Sequence, residues 1–401
     1  VSSVSPLKNL PVEDARARML AGAGVLRPSS IPLTVADGAV LAQDILAQRD
    51  QPPFDASAMD GWAVRRTDAG EGAVLSIAGE SAAGRGHEQR LQPGQAVRIF
   101  TGAPVPAGAD LVVIQEEAQR DGDAVRLTHP PGQGSHIRPA GGDFRAGQIL
   151  LPAGTRLDPW RLSLVAAAGY AMVPVADRPR VAILATGEEL VPPGGSPGPF
   201  QIYESGSAGL APMLTRWGAI PVRLTPAGDD LAAIQRAVNG ADADLVVTIG
   251  GASVGDYDLV KPALAGLGLK LAVETVNVRP GKPTWFGTLG DGRRVLGLPG
   301  NPASAFVCAE LFLKPLVLAL QGAAAGPAIE TARLAQPLAA NGPREHWMRA
   351  VRTPDGVRAL PDQDSSLVTV FAAADALLRR AAHAPAVEAG GMVEILRLDR
   401  A

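Results

Sequence analysis

The chain has 401 residues, 46 of them Gly and 35 Pro, with 37 basic against 40 acidic side chains and a net charge of −3. That length exceeds what one hydrophobic core usually supports and implies about two to four domains of roughly 100–200 residues, while 46% hydrophobic content at low net charge excludes a disordered chain. The interspersed charges exclude the basic stripe of a nucleic-acid binder and a polybasic membrane anchor.

In chain order, VEDARARMLAGAGVL and the following GAVLAQDILAQ have helix-forming composition, with apolar residues three and four apart. From residue 49 to 139 the texture changes to short apolar runs broken by Gly and Pro (GWAVRR, AVLSIAGE, QAVRIFTGAPVPAGADLVVIQEE, AVRLTH), which predicts a separate small β domain. The stretch GGDFRAGQILLPAGTRLDPWRLSLVAAAGYAMVPV predicts two strands around a helix capped by Asp158 ahead of Pro159, and returns the chain to the first region. This gives a mixed linker domain over 1–48 plus 140–177.

Residues 178–323 alternate strand, turn and helix. Strands are predicted at RVAIL, AIPVRL, DLVVTI, LAVETVNV and RVLGL, and helices near Ser205 to Trp217, from Asp229 to Val238, and after Asn301–Pro302, a cap followed by a first-turn proline. Such alternation implies an α/β domain on a largely parallel sheet, with ligands outside the carboxyl ends of the strands. GAAAGPAIE acts as a linker, and MRAVRT, VRAL, LVTVFA and MVEILRL make 324–401 a compact β module.

Cys308 is the only cysteine, which excludes an intrachain disulfide, a CxxC pair and a cysteine zinc site; its apolar setting, NPASAFVCAELFL, reads as a buried core thiol. The five histidines show no metal-ligand or triad spacing. The apolar stretch from Ala303 to Leu320 is interrupted by Glu310, Lys314 and Pro315, so no membrane span is expected, and without a secretory signal the expected location is the cytoplasm.

Three glycine-bearing turns follow apolar runs: ATGEEL, GGASVGDYD and LPGNPASA. Glycine lets backbone N–H groups approach an anion, and a following helix start adds donors and a favourable dipole. If the turns converge they form a pocket for a phosphorylated ligand, with Gly250, Gly251, Ser253, Gly255, Pro299, Gly300, Asn301 and Pro302 at its wall. Glu188 and Glu189 stand at a presumptive helix start, Asp229 and Asp230 open the next helix, and Asp256 and Asp258 follow the second glycine turn. Carboxylates facing an anion suit a bridging divalent cation, because Mg²⁺ binds through one or two carboxylates plus phosphate oxygens; Glu189 and Asp258 are the expected ligands, with Asp229 a helix cap that bonds a ligand edge. Arg279 and Lys282 flank a Pro280–Gly281 turn and offer two cations to an oxyanion. Asp60 before Gly61, Thr101 before Gly102 and Asp143 in GGDFRAG are, by themselves, turn residues.

Taken in order, PPFDASAMDGWAVR, RIFTGAPVPAGAD, GGDFRAGQILLPAGTRL, ATGEEL, GGASVGDYD, RPGKP and LPGNPASA resemble the molybdopterin molybdenumtransferases, the bacterial MoeA proteins and the gephyrin E domain, from about residue 10 to the C-terminus. The resemblance implies insertion of molybdenum into adenylylated molybdopterin with loss of AMP and Mg²⁺ dependence. It implies a molybdopterin-binding three-layer α/β/α domain, a mixed linker domain, a small β lid domain and a C-terminal β-barrel-like module, in a homodimer whose cleft joins the α/β domain of one subunit to the β domain of the other. It carries functional roles to Asp60, Thr101, Asp143, Glu189, Asp229, Asp258, Arg279 and Lys282, with Pro299 and Pro302 shaping the last loop and Ser366 of DQDSSLV contributed by the C-terminal module. Thr275 stands where the family usually has a basic residue, and Gly206 and Ala56 where it usually has asparagine. The expected partners are adenylylated molybdopterin, molybdate, a second copy of the chain and a molybdopterin adenylyltransferase, with neither nucleic acid nor membrane. The rival readings are a pterin-binding scaffold without turnover and an adenylyltransferase. The β block and the C-terminal module speak against the second, which resembles the α/β domain alone.

Overall fold

A computed structural model describes residues 8–228, 230–251 and 259–398. Asp229, Ser253, Gly255, Asp256 and Asp258, singled out above, lie outside the described residues.

The central sheet has the strand order Ile220–Arg223, Arg180–Ala185, Leu245–Ile249, Arg294–Leu298, Trp285–Thr288 and Lys270–Val273. The first four run parallel, and Trp285–Thr288 is antiparallel to both its neighbours. The strand sequences RVAILA, LVVTI and RVLGL are apolar without alternation because both faces are covered. Val181, Ile183, Leu245, Val247, Leu296 and Leu298 share a core with helices Val12–Leu20, Gly206–Arg216 and Pro302–Cys308. Ala182, Leu184, Val246 and Val295 face helices Leu231–Asn239 and Val260–Ala265 on the other side. The largely parallel sheet predicted from the alternation and the three layers implied by the resemblance are present.

Residues 302–320 form one continuous helical run in which Pro302–Cys308 and Lys314–Leu320 are α-helical and Ala309–Leu313 is a π turn. Pro315 has no N–H and its ring crowds the preceding turn, which accounts for the wider winding just ahead of it. The run is long and apolar enough to cross a membrane by length and composition, but most of it is buried in this core.

Two further six-stranded sheets flank this domain. The first has the order Leu111–Ile114, Gly61–Val64, Gln95–Ile99, Val74–Ser81, Ala124–Leu127 and Ala118–Asp121. The second has the order Val278–Arg279, Glu345–Thr353, Ala376–Arg380, Met392–Arg397 and Ile329–Arg333, with Gly356–Ala359 paired to Glu345–Thr353. Its edge strand belongs to the RPGKP segment: Val278 and Arg279 pair in parallel with Glu345 and His346. This pairing welds the C-terminal sheet to the α/β domain beside the carboxyl ends of the central strands.

The helix expected at GAVLAQDILAQ is absent. GAVLAQDILAQ forms the short strand Ile45–Leu46 and isolated bridges. Gly38, Leu41 and Ala47 donate their N–H groups to the carbonyls of Leu157, Thr155 and Gln148, so pairing with a distant segment outweighs the local preference of Ala and Leu for helix.

Candidate functional site

The three glycine turns meet. Strands Arg180–Ala185, Leu245–Ile249 and Arg294–Leu298 are neighbours in the sheet, so Thr186–Gly187, Gly250–Gly251 and Pro299–Gly300–Asn301 leave its carboxyl edge side by side. They line one cavity of about 950 Å³ together with Glu189, Arg279, Lys282, Pro302, Arg344 and Gln363 through Ser366. Close approach explains glycine at 250. Its φ is +94°, and a Cβ there would lie 2.6 Å from the Thr186 carbonyl oxygen. At Gly251, φ is +57° and a Cβ would collide with Val260.

The first turn differs from its expected form. Glu188 and Glu189 do not begin a helix; the chain turns and forms strand Leu190–Val191, parallel to Ile202–Tyr203. The residues that follow, Pro192, Pro193, Gly194 and Gly195, oppose a helix there. The next helix, Gly206–Arg216, has its first turn occupied by a carboxylate of the chain itself. Buried Glu204 accepts from Ser207 N at 2.6 Å and Ser207 Oγ at 2.5 Å, with Arg223 Nη2 3.7 Å away. An anion in the cavity must therefore use other donors. Glu189 carries no hydrogen bond or ion pair on its side chain among the described residues, so its carboxylate faces the cavity uncommitted.

The helix expected to open at Asp229 spans Leu231–Asn239, and Asp230 caps it, accepting from Ala232 N at 3.0 Å and Ala233 N at 3.2 Å. Asn301 precedes helix Pro302–Cys308 as expected, but its side chain makes no cap bond. Asn301 Nδ2 donates instead to Ser365 Oγ at 2.9 Å, and Ala303 N donates to the Ser365 carbonyl at 3.1 Å. These two bonds bring the loop of the C-terminal module carrying Ser366 to the cavity. Ser366 is itself held by Asp364, whose Oδ1 accepts from Ser366 N at 2.8 Å and Ser366 Oγ at 2.6 Å.

Arg279, Lys282 and Arg344 form the cationic wall, and none of the three has a carboxylate partner among the described residues. Arg344 was not singled out in the sequence; its position follows from the parallel pairing of Val278–Arg279 with Glu345–His346, which no local pattern announces. Behind the wall His346 is 6% exposed and its Nε2 has no partner among the described residues. Burial, then the charges of Arg279, Arg349 and Arg344, pushes its pKa down to about 4, so it is neutral at pH 7. The turn carrying Lys282 rests on Cys308. Thr284 Oγ1 donates to Cys308 Sγ at 3.1 Å, and burial raises the thiol to about 12, as a core thiol requires.

Asp60, Thr101 and Asp143 do not line this cavity. Asp60 Oδ1 accepts from Thr101 N at 2.7 Å and Thr101 Oγ1 at 2.8 Å, which holds its carboxyl below the usual range. Arg98 braces the same turn, lying over the rings of Trp62 and Phe100 and donating to the Gly61 carbonyl at 3.1 Å. Asp143 lies in a separate turn, its N–H bonded to the Gln51 carbonyl at 2.9 Å. No group of three or more His, Cys, Asp or Glu side chains suited to a metal occurs among the described residues.

Three family profiles cover the chain: "MoeA N-terminal region (domain I and II)" over residues 10–169, "Probable molybdopterin binding domain" over 182–319 and "MoeA C-terminal region (domain IV)" over 331–398. A molybdopterin molybdenumtransferase of Nostoc sp. is 38% identical over 329 residues, 79% of this chain and 76% of the relative. Molybdopterin molybdenumtransferase 1 of Mycobacterium tuberculosis is 32% identical over 417 residues, 96% of this chain and 98% of the relative. The crystal structure of a molybdopterin biosynthesis MoeA protein from Pyrococcus horikosii superimposes with a TM-score of 0.83 at 30% identity, covering 98% of this chain and all of that one.

Proposed function

The chain belongs to the MoeA family, and from that premise and the cavity we propose that it inserts molybdenum into adenylylated molybdopterin with release of AMP, as a transferase of molybdenum cofactor biosynthesis. The observation that carries this reading is one cavity lined both by three glycine turns and by Arg279, Lys282 and Arg344, cations without carboxylate partners among the described residues. Backbone N–H groups at Gly251 and Gly300 suit the phosphate oxygens of a pterin–nucleotide anhydride, while the Gly250 N–H is taken by the Leu298 carbonyl at 3.2 Å, and the cationic wall suits a dianionic oxyanion such as molybdate. Placing the two ligands side by side is itself a contribution to rate, because it converts an encounter into a neighbouring-group reaction.

When an oxygen of water or molybdate adds to one phosphorus of the anhydride, the P–O–P bond breaks, AMP is released and the pterin keeps its phosphate, so negative charge builds on the departing phosphate oxygen. Arg279 and Lys282 offset that charge as fixed donors, without a covalent intermediate on the protein. Glu189, uncommitted and facing the cavity, fits one ligand position of Mg²⁺, and Asp258 is the proposed second. The ion would supply Lewis-acid polarisation of the anhydride oxygens. A second copy of the chain would bring the Asp60–Thr101 turn and Asp143 over the cavity mouth, where the acceptor oxygens of these side chains order the ligand.

The test is to incubate purified protein with adenylylated molybdopterin and Mg²⁺ and to measure AMP with and without molybdate. Molybdate-stimulated release supports the reading, and unchanged AMP levels overturn it.

A further inference from the structure

A second cleft, of about 770 Å³, lies at the amino edge of the central sheet, where strands Arg180–Ala185 and Ile220–Arg223 begin beside the linker domain. Arg27, Arg156, Arg178, Arg180 and Arg216 line it, against three aspartates. Some of this charge is already committed. Arg180 Nε meets the Asp242 carboxylate at 3.3 Å and donates to the Asp242 carbonyl at 3.0 Å, while Asp244 Oδ2 accepts from Arg180 N at 2.8 Å. Arg156 and Arg178 reach only neutral carbonyls, at the C-terminal end of helix Gly206–Arg216. Arg178 Nε donates to the Gly218 carbonyl at 2.9 Å and its Nη2 to the Ala219 carbonyl at 3.0 Å, and Arg156 Nη2 donates to the Arg216 carbonyl. The negative end of the helix dipole explains why cations gather there, but these bonds occupy only one side of each guanidinium. Arg178 Nη1 and Arg156 Nε and Nη1 carry no bond among the described residues, and the side chain of Arg27 carries none at all.

We propose that this cleft binds a phosphate monoester, with the phosphate held by Arg27, Arg156 and Arg178 and the organic part laid against Val35 and Ile220. Guanidinium forks match phosphate oxygens in pairs. The carbonyl anchors hold Arg156 and Arg178 in place before any ligand arrives, so little side-chain freedom is lost on binding. Val35 and Ile220, 65% and 38% exposed, give the cleft an apolar lip that inorganic phosphate alone would leave in water. A concave site of this volume fits a small molecule, whereas a nucleic acid is held by an extended basic stripe. Asp37 and Asp177 oppose an anion. Neither carboxylate has a partner among the described residues, and both residues are exposed, so water and salt screen them. This cleft and the glycine-turn cavity lie at opposite ends of the same strands, and the two assignments stand or fall separately.

The experiment titrates the full chain calorimetrically, at low ionic strength, with phenyl phosphate and with inorganic phosphate, and repeats both titrations on Arg27→Glu, Asp177→Asn and Lys282→Ala. Arg27→Glu reverses a charge that makes no bond in the protein, so it is expected to weaken phenyl phosphate about tenfold or more while the chain melts as before. Asp177→Asn removes an opposing charge and is expected to tighten the same ligand about threefold. Phenyl phosphate is expected to bind about fivefold more tightly than inorganic phosphate, because its ring covers part of the apolar lip. Lys282→Ala alters only the glycine-turn cavity, and a binding event that survives it and is lost in Arg27→Glu supports the cleft. Binding lost in Lys282→Ala and kept in Arg27→Glu places the phosphate in the other cavity and overturns the proposal. Absence of phosphate binding in the unmodified chain also overturns it, and phenyl phosphate no tighter than inorganic phosphate overturns the assignment to a monoester.

Discussion

At the seam between the central and C-terminal sheets, three cationic side chains face a cavity with no carboxylate bound to them among the described residues, whereas in the small β domain the carboxylate of Asp60 is held by two hydrogen bonds from Thr101. Both regions are glycine-bearing turns beside strands, and both hold functional residues implied by the family resemblance. The difference lies in where the compensation for charge comes from. The Asp60 turn is complete within the chain and keeps its shape alone. The seam is incomplete within the chain, and a bound anion removes a repulsion that folding leaves standing.

The largest expected effect strikes the support of the seam. Gly281 has φ +113°, and a Cβ there would collide with Cys308 Sγ in the core. Gly281→Val is expected to lower stability by about 3 kcal/mol, from strained backbone and overpacking together. A denaturant midpoint within error of the unmodified chain would show that the turn does not depend on this contact.

Next comes the pH dependence of the seam. His346 has its folded pKa pushed down to about 4 from an ordinary 6.5, by burial first and then by Arg279, Arg349 and Arg344. The unfolded chain therefore takes up a proton that the folded chain refuses between pH 6.5 and 4, and stability falls as pH drops through that window. At pH 5 the loss from this group is about 2 kcal/mol relative to pH 7.5. His346→Gln should flatten that part of the stability profile, and an unchanged slope would mean that the repulsion at the seam is already relieved.

A smaller effect is expected at the wall itself. Lys282→Ala removes an exposed cation without a carboxylate partner among the described residues, so molybdate affinity should fall about tenfold while the melting midpoint stays put. A midpoint that drops instead would mean that the lysine has a structural role. The smallest effect belongs to the self-contained turn. Thr101→Val removes the side-chain hydrogen bond to Asp60, and the Asp60 carboxyl should titrate at higher pH in an NMR experiment, towards its ordinary value. No movement would show that the backbone bond from Thr101 suffices.

How much of this was legible in the sequence depended on the range of the interaction. The runs RVAIL, DLVVTI and RVLGL, each followed by a glycine turn, announced strands of a largely parallel sheet, and Asn301–Pro302 marked a helix start, because these are local patterns. The partner of Asn301 was not legible, since Ser365 lies 64 residues away in a turn of the C-terminal module. Arg344 carries no motif, and its relation to the site arises from one parallel pairing with the RPGKP strand. The Glu188–Glu189 turn was misread as a helix start although the Pro–Pro–Gly–Gly that follows carried the contrary signal. The GAVLAQDILAQ segment was misread because a long-range pairing overrode composition. Cations can be counted in a sequence, but which of them lack a partner is a property of the fold.

The central claim, that one cavity joins glycine turns to a cation wall awaiting an oxyanion, is tested most directly by diffraction from crystals grown with molybdate and AMP, using the anomalous signal of molybdenum to locate the anion. The account predicts a molybdenum peak within hydrogen-bond reach of Arg279, Lys282, Arg344 or Ser366, with the AMP phosphate at the Gly250 and Gly300 turns. A molybdenum peak only outside this cavity, or AMP seated away from the glycine turns, would contradict it.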